Sequence, residues 1–192
     1  MRWKIGVASC IACLFLGSGL ARAETNWVGL SGGMALPIGD MSDAADPGFD
    51  VGAHGTWMFS PTWGVGVDVA YLMWNGKDDV VPPGGDLSYS AVQATGHLLL
   101  MMPTESSIKP WVKGALGMYN FNAKLEGVGP GIDFDDSESN FGFNVGGGLN
   151  FAASPTMTWG LGAAYHSIQE DSNPVNFVTV NLNLMFGMGG PQ

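Results

Sequence analysis

The chain has 192 residues, 46% of them hydrophobic and only 12% charged, with 30 glycines and 17 acids against seven Lys and Arg, for a formal charge of −10. Charged residues fall to about half of the roughly 25% usual in soluble globular chains, which argues against a cytosolic protein. Beyond the N-terminal segment no run of about 18 apolar residues occurs, which excludes a helical membrane protein, and the length is that of one domain without room for a second module.

Residues 1–23 have the layout of an export leader. Arg2 and Lys4 give the positive start, Ile5 to Leu16 the apolar stretch, and Ala21-Arg22-Ala23 a small-x-small cleavage site before Glu24. Val7-Ala8-Ser9-Cys10 has the form of a lipid-attachment box, but the apolar run between Lys4 and that box is too short for a lipoprotein leader. Both cysteines, Cys10 and Cys13, leave with the leader, so disulfides, thiol catalysis and thiolate metal sites are excluded in residues 24–192. Arg2, Lys4 and Arg22 leave as well; four lysines then face 17 acids, a formal charge of −13. Such a chain does not bind nucleic acid, because phosphate recognition needs the opposite sign.

From Trp27 onward the dominant signal is period-two alternation, the mark of strands with one apolar face, and helical periodicity is nowhere convincing. The first segment is Trp27 to Leu36. The second sets Phe49, Val51, Ala53, Trp57 and Phe59 against Asp50, His54 and Thr56; the third sets Trp63, Val65, Val67, Val69 and Tyr71 against Gly64, Gly66 and Asp68. Ser88 to Met101 and Pro110 to Asn122 follow. Phe141 to Phe151 is the clearest, alternating Phe, Val and Leu with Asn and Gly. Met157 to Ile168 is the seventh segment, and in the eighth Val178, Val180, Leu182, Leu184 and Phe186 oppose Thr179, Asn181 and Asn183.

Long connections (Pro37 to Gly48, Asn75 to Leu87, Ala123 to Ser139, Gln169 to Val175) alternate with short ones (Ser60 to Thr62, Met102 to Lys109, Ala152 to Thr156), so loops gather at one end and turns at the other. Tilted segments of about ten residues cross a hydrocarbon layer, and a closed barrel leaves no unpaired backbone edge in lipid. The expected fold is an all-β, eight-stranded antiparallel up-and-down transmembrane β-barrel over residues 24–192. The rival is a soluble barrel or sandwich with its apolar face inward. Three features favour lipid outside: a polar face of Gly, Asn, Ser and Thr rather than Lys and Glu; acids almost absent from strands, with Asp68 the main exception; and aromatics near segment ends. Those aromatics are Trp27, Trp57, Phe59, Trp63, Tyr71, Trp74, Trp111, Phe151, Trp159 and Tyr165, read as interfacial girdles.

The leader, the eight amphipathic segments, the Gly-rich polar face, the turns Ser60-Pro61-Thr62-Trp63 and Ser154-Pro155-Thr156, and the closing segment Phe177 to Met188 resemble the small outer-membrane barrels of Gram-negative bacteria, which include OmpX-type proteins, opacity proteins and the OmpA transmembrane domain. The resemblance covers Trp27 to about Met188. It implies residence in outer-membrane lipid and lipopolysaccharide as a monomer, and delivery by the barrel-assembly machinery, which reads a terminal aromatic. Here that residue is Phe186, and the tail Gly187 to Gln192 departs from the usual ending.

The histidines His54, His97 and His166 fall on the interior face, where they fill and hydrogen-bond the lumen or, as a constellation, carry protons or ligate a metal. Asp68 and Lys113 also face inward, and a buried charge needs a partner, so an interior pair joining them is expected. Gln93, Thr95, Asn144, Asn150, Thr158, Asn181 and Asn183 complete that network. The acids concentrate in the long connections: Asp40, Asp43, Asp46 and Asp50; Asp78, Asp79 and Asp86; Glu126, Asp133, Asp135, Asp136 and Glu138; Glu170 and Asp171. They solvate the loops or, at Asp133, Asp135, Asp136 and Glu138, offer hard oxygen ligands to a divalent cation, without the register of an EF-hand. Lipid A deacylases and palmitoyltransferases are also small barrels of this kind, and the deacylase pattern has His and Ser two apart on one strand face. In Tyr165-His166-Ser167 they are adjacent and point to opposite faces, which counts against catalysis. The expected role is structural or surface-interacting, with a largely plugged lumen, no enzyme activity and no cofactor. The alternatives are a narrow OmpW-like channel for ions or small apolar solutes and, as a lesser one, a lipid A-modifying enzyme.

Overall fold

The computed structural model of the protein describes residues 26–77, 79, 85–126, 134–170 and 173–188, and no side chains at positions 134 and 135. Its strands are β1 (Trp27–Ile38), β2 (Gly48–Met58), β3 (Trp63–Asn75), β4 (Asp86–Met101), β5 (Ile108–Glu126), β6 (Phe134–Ser154), β7 (Met157–Ile168) and β8 (Val175–Gly187), with a short helix α1 (Met41–Ala44) between β1 and β2. Each strand pairs antiparallel with its sequence neighbours, and β8 returns to β1 in a register running from Trp27↔Gly187 to Ile38↔Asn176. The sheet therefore closes into an eight-stranded up-and-down barrel without crossovers.

The side chains on the two faces decide what surrounds the barrel. Leu30 at 59% exposure, Phe49 at 63% and Leu182 at 62% point outward, while Thr56, Gln93, Thr95, Asn144 and Thr179 are buried inside. This is the inverse of a soluble barrel. In water so large an apolar surface would drive aggregation, whereas in hydrocarbon it is the stable arrangement. Trp57, Phe59, Trp63 and Trp159 are exposed near the short-turn end, where Phe151 stacks on Trp159 at 4.3 Å. Phe49, Tyr71 and Phe141 occupy the outer surface toward the long-loop end.

Trp74 and Trp111 do not join the girdles expected from sequence. Trp74 is 2% exposed, and its Nε1 donates to the Ala35 carbonyl at 3.0 Å. Trp111 borders the lumen cavity close to Gly148 and Gly162, where an added Cβ would overlap its ring. Alternation explains both: Trp74 shares the parity of Asp68 on β3, and Trp111 that of Lys113 on β5.

Strands β4, β5 and β6 are also longer than the amphipathic pattern suggests. The third long connection, expected from Ala123 to Ser139, contracts to residues 127–133, because β5 and β6 continue to pair through Leu125↔Phe134. Strand β7 ends with Ile168 opposite Gly142, so the β6 residues before Phe141 pair on the β5 side alone, while β5 is also paired with β4 as far as Asp86↔Glu126. In the part of β6 before Phe141, backbone pairing persists without an apolar row, which removes the feature that marks the other strands in sequence.

Candidate functional site

The lumen is layered along its axis, and each layer follows from the inward parity of its strands. Asp68 on β3 is the centre of the polar layer. Its Oδ1 accepts from Lys113 Nζ of β5 at 3.0 Å, and its Oδ2 lies 2.9 Å from His97 Nδ1 of β4. The other His97 nitrogen meets Thr56 Oγ1 of β2 at 3.0 Å, and Gln93 donates to Thr95 at 2.9 Å beside them. A network drawn from β2 to β5 thus cross-links half the barrel wall.

A second cluster centres on Tyr119 of β5, which is fully buried. Its hydroxyl accepts from Asn144 Nδ2 at 3.1 Å and lies 3.1 Å from His166 Nδ1, while His166 Nε2 lies 3.1 Å from Thr179 Oγ1. Both His166 nitrogens are thereby engaged, and neither faces Ser167. His54 stands opposite Asp68 in the β2–β3 register and rests over Gly29, where a Cβ would overlap its ring. His54 and His97 thus both neighbour Asp68, whereas His166 belongs to the Tyr119 cluster. Among the described residues no group of three or more His, Cys, Asp and Glu is placed to hold a metal ion.

Toward the long loops the lumen becomes apolar. Leu72, Trp74, Ile168 and Phe177 are 2% exposed or less and form one cluster with Ala35, Ala45 and Tyr119. Trp74 meets Phe177 edge-on at 5.1 Å, and Phe177 stacks on His166 at 4.5 Å. The first loop folds down onto this plug: Met41 packs against it, Ala45 bridges to Gly76, and Lys77 N–H donates to the Ala44 carbonyl at 3.0 Å. Asn173 donates to Asp40 at 3.0 Å, tying the fourth connection to the first.

The plug residues follow alternation as well, since Tyr119 shares the parity of Lys113, Leu72 that of Asp68, and Phe177 that of Thr179. Sequence reading missed them because large apolar residues on an otherwise polar face look like interruptions of the pattern.

At the rim, Asp136 and Glu138 stand two apart on β6 and are exposed. Asp133 and the side chain of Asp135 lie outside the described residues, as do Asp78 and Asp171, so the four-acid cation site expected from sequence is described only at Asp136 and Glu138. Asp50, which alternation sets on the polar face of the second segment beside the first loop, is on β2, faces the lumen and is 6% exposed. Glu170, just past β7, has its carboxyl pushed above the usual range, first by burial and then by the like charge of Glu138.

The closed eight-strand sheet, its lipid-facing apolar rows and its filled polar interior agree with the sequence profile of the outer membrane protein beta-barrel domain, which matches residues 9–186. The chain belongs to that family. No curated protein sequence matches it. Among solved structures, Neisserial surface protein A superposes with a TM-score of 0.61 at 16% identity, covering 84% of this chain and 96% of that one. A major outer membrane protein from Thermus thermophilus gives 0.58 at 12% identity, covering 85% and 99%. Ail, the attachment invasion locus protein of Yersinia pestis, crystallised with the heparin analogue sucrose octasulfate, gives 0.54 at 17% identity, covering 85% and 100%. At such identities the likeness is one of fold. Family membership places this barrel in the bacterial outer membrane.

Proposed function

We propose that this barrel acts as a structural and surface-interacting protein rather than as a conduit or an enzyme. The observation that carries the reading is the apolar plug of Leu72, Trp74, Ile168 and Phe177, lying beneath a first loop whose Met41 packs on it and whose Ala44 and Asp46 are hydrogen-bonded to Lys77 and Asn75. A lumen filled in this way leaves the extracellular rim as the surface for partners. The engagement of both His166 nitrogens away from Ser167 supports a non-catalytic role. The rim offers exposed Asp136 and Glu138 on the start of β6, which favours cationic partners; a polyanion such as the heparin analogue bound by Ail would be repelled.

Planar-bilayer recording tests the first half: the folded chain gives no steady conductance, and sustained openings abolished by bulky substitution at Gly146 or Gly162 would overturn the reading. Binding of polylysine to the detergent-folded chain tests the second, with salt-sensitive affinity that falls when Asp136 and Glu138 are changed to Asn and Gln. We further propose that the protein reaches the outer membrane as a monomer, after removal of residues 1–23 and with Phe186 as the signal for the assembly machinery. N-terminal sequencing of the membrane-extracted protein should begin at Glu24.

A further inference from the structure

Asp50 is the interior acid without a charged partner. Lys113 and His97 both converge on Asp68, and no ion pair among the described residues includes Asp50. Asp50 Oδ2 accepts from Asn181 Nδ2 at 2.6 Å. The two side chains meet across Gly33, which stands opposite Asp50 in the β1–β2 register and opposite Asn181 in the β1–β8 register. A larger residue cannot replace that glycine, because its Cβ would collide with the Val180 carbonyl. The remaining oxygens, Asp50 Oδ1 and Asn181 Oδ1, are both buried and lack a hydrogen-bond partner. Both residues line a lumen cavity of about 80 Å³ that Ser31 and Asn183 also border.

We propose that Asp50, Asn181 and Ser31 bind a single alkali-metal cation, which fastens the closing seam where β8, β1 and β2 meet. Two orphaned acceptors in one cavity, one of them a carboxylate oxygen, call for a positive ligand, since a buried oxygen left unmatched is costly. Carboxylate, amide and hydroxyl oxygens are hard donors suited to hard cations. One carboxylate balances one positive charge, whereas all-protein divalent sites draw on several. The cavity has room for the ion with about two waters, at ~30 Å³ per water.

The test uses the full chain folded in detergent, with thermal unfolding followed by gel migration in sodium, potassium, choline, calcium or magnesium chloride at equal ionic strength. The unfolding midpoint should stand several degrees higher in sodium or potassium than in choline, and Asp50→Asn should erase that difference. Sodium-23 relaxation of the unmodified chain gives a readout that does not depend on a variant folding: broadening beyond that of detergent alone, relieved by potassium but not by choline, supports the site. Four results would each overturn the proposal: equal midpoints in all salts, a response to divalent ions alone, a sodium effect retained in Asp50→Asn, or a midpoint that follows pH but not cation identity. The last would mean that a proton neutralises Asp50 instead.

Discussion

Asp68 is bonded to Lys113 and His97 at once, and Lys113 is the permanently charged partner in the polar layer. Removing one member of a buried pair strands the other charge, at a cost of about 3–5 kcal/mol, while replacing both members removes the problem. Lys113→Met should therefore destabilise the barrel, toward the lower end of that range because 22% of the lysine side chain stays exposed. The double variant Asp68→Asn/Lys113→Met should recover most of the loss. Denaturant titration of lipid-refolded protein measures the cycle. Tyr119→Phe tests the neighbouring cluster: Asn144 and His166 both lose the hydroxyl, and the cost should be about 1–3 kcal/mol in the same assay. The inward side of Asp68, Lys113, Asn144 and His166 was legible from alternation, and that of Tyr119 was missed. The Asp68–Lys113 pair followed from the need of a buried charge for a partner, whereas the contacts of His97 with Thr56 and of Tyr119 with Asn144 and His166 did not, because barrel closure sets which inward residues meet and no local pattern encodes it.

Among the elements, the segments from Phe141 to Phe151 and Trp63 to Tyr71 were legible because lipid on one side and a polar lumen on the other impose strict alternation. The hairpin of β5 and β6 above the bilayer was not, since Asp136, Ser137, Glu138 and Ser139 form a strand surrounded by water and carry no apolar row. That hairpin brings Glu138 close enough to Glu170 to contribute to the rise of its carboxyl, after burial. With the folded value above the unfolded one, the native state holds the extra proton. Stability from this group is therefore greatest below the unfolded value near 4.5, falls as pH rises toward the folded value, and stays reduced above it. Glu170→Gln should remove this dependence and raise protection of the Gln169 amide, which donates to the Phe141 carbonyl at 2.9 Å, at neutral pH but not in acid. Hydrogen exchange across the two pH values reads the difference.

Over the whole barrel, the plug and the polar layer are two seals in series, and they close the lumen by different physics. The apolar cluster excludes water, so an ion reaching it would lose its hydration. The Asp68–Lys113–His97 network instead narrows the lumen with charged side chains carried by the adjacent strands β3, β4 and β5. With the two layers in series, opening one leaves the other in place and should not open the pore. Trp74→Ala creates a cavity in the plug and should cost about 3–5 kcal/mol in unfolding free energy, yet planar-bilayer recordings should stay silent. Adding Asp68→Ala and Lys113→Ala to that variant should produce steady openings, provided gel migration confirms that the barrel remains folded. Openings in Trp74→Ala alone would mean that the polar layer already passes ions and that the plug is the gate. The order in which the seals are removed therefore separates a barrel built to stay shut from a channel closed at one point.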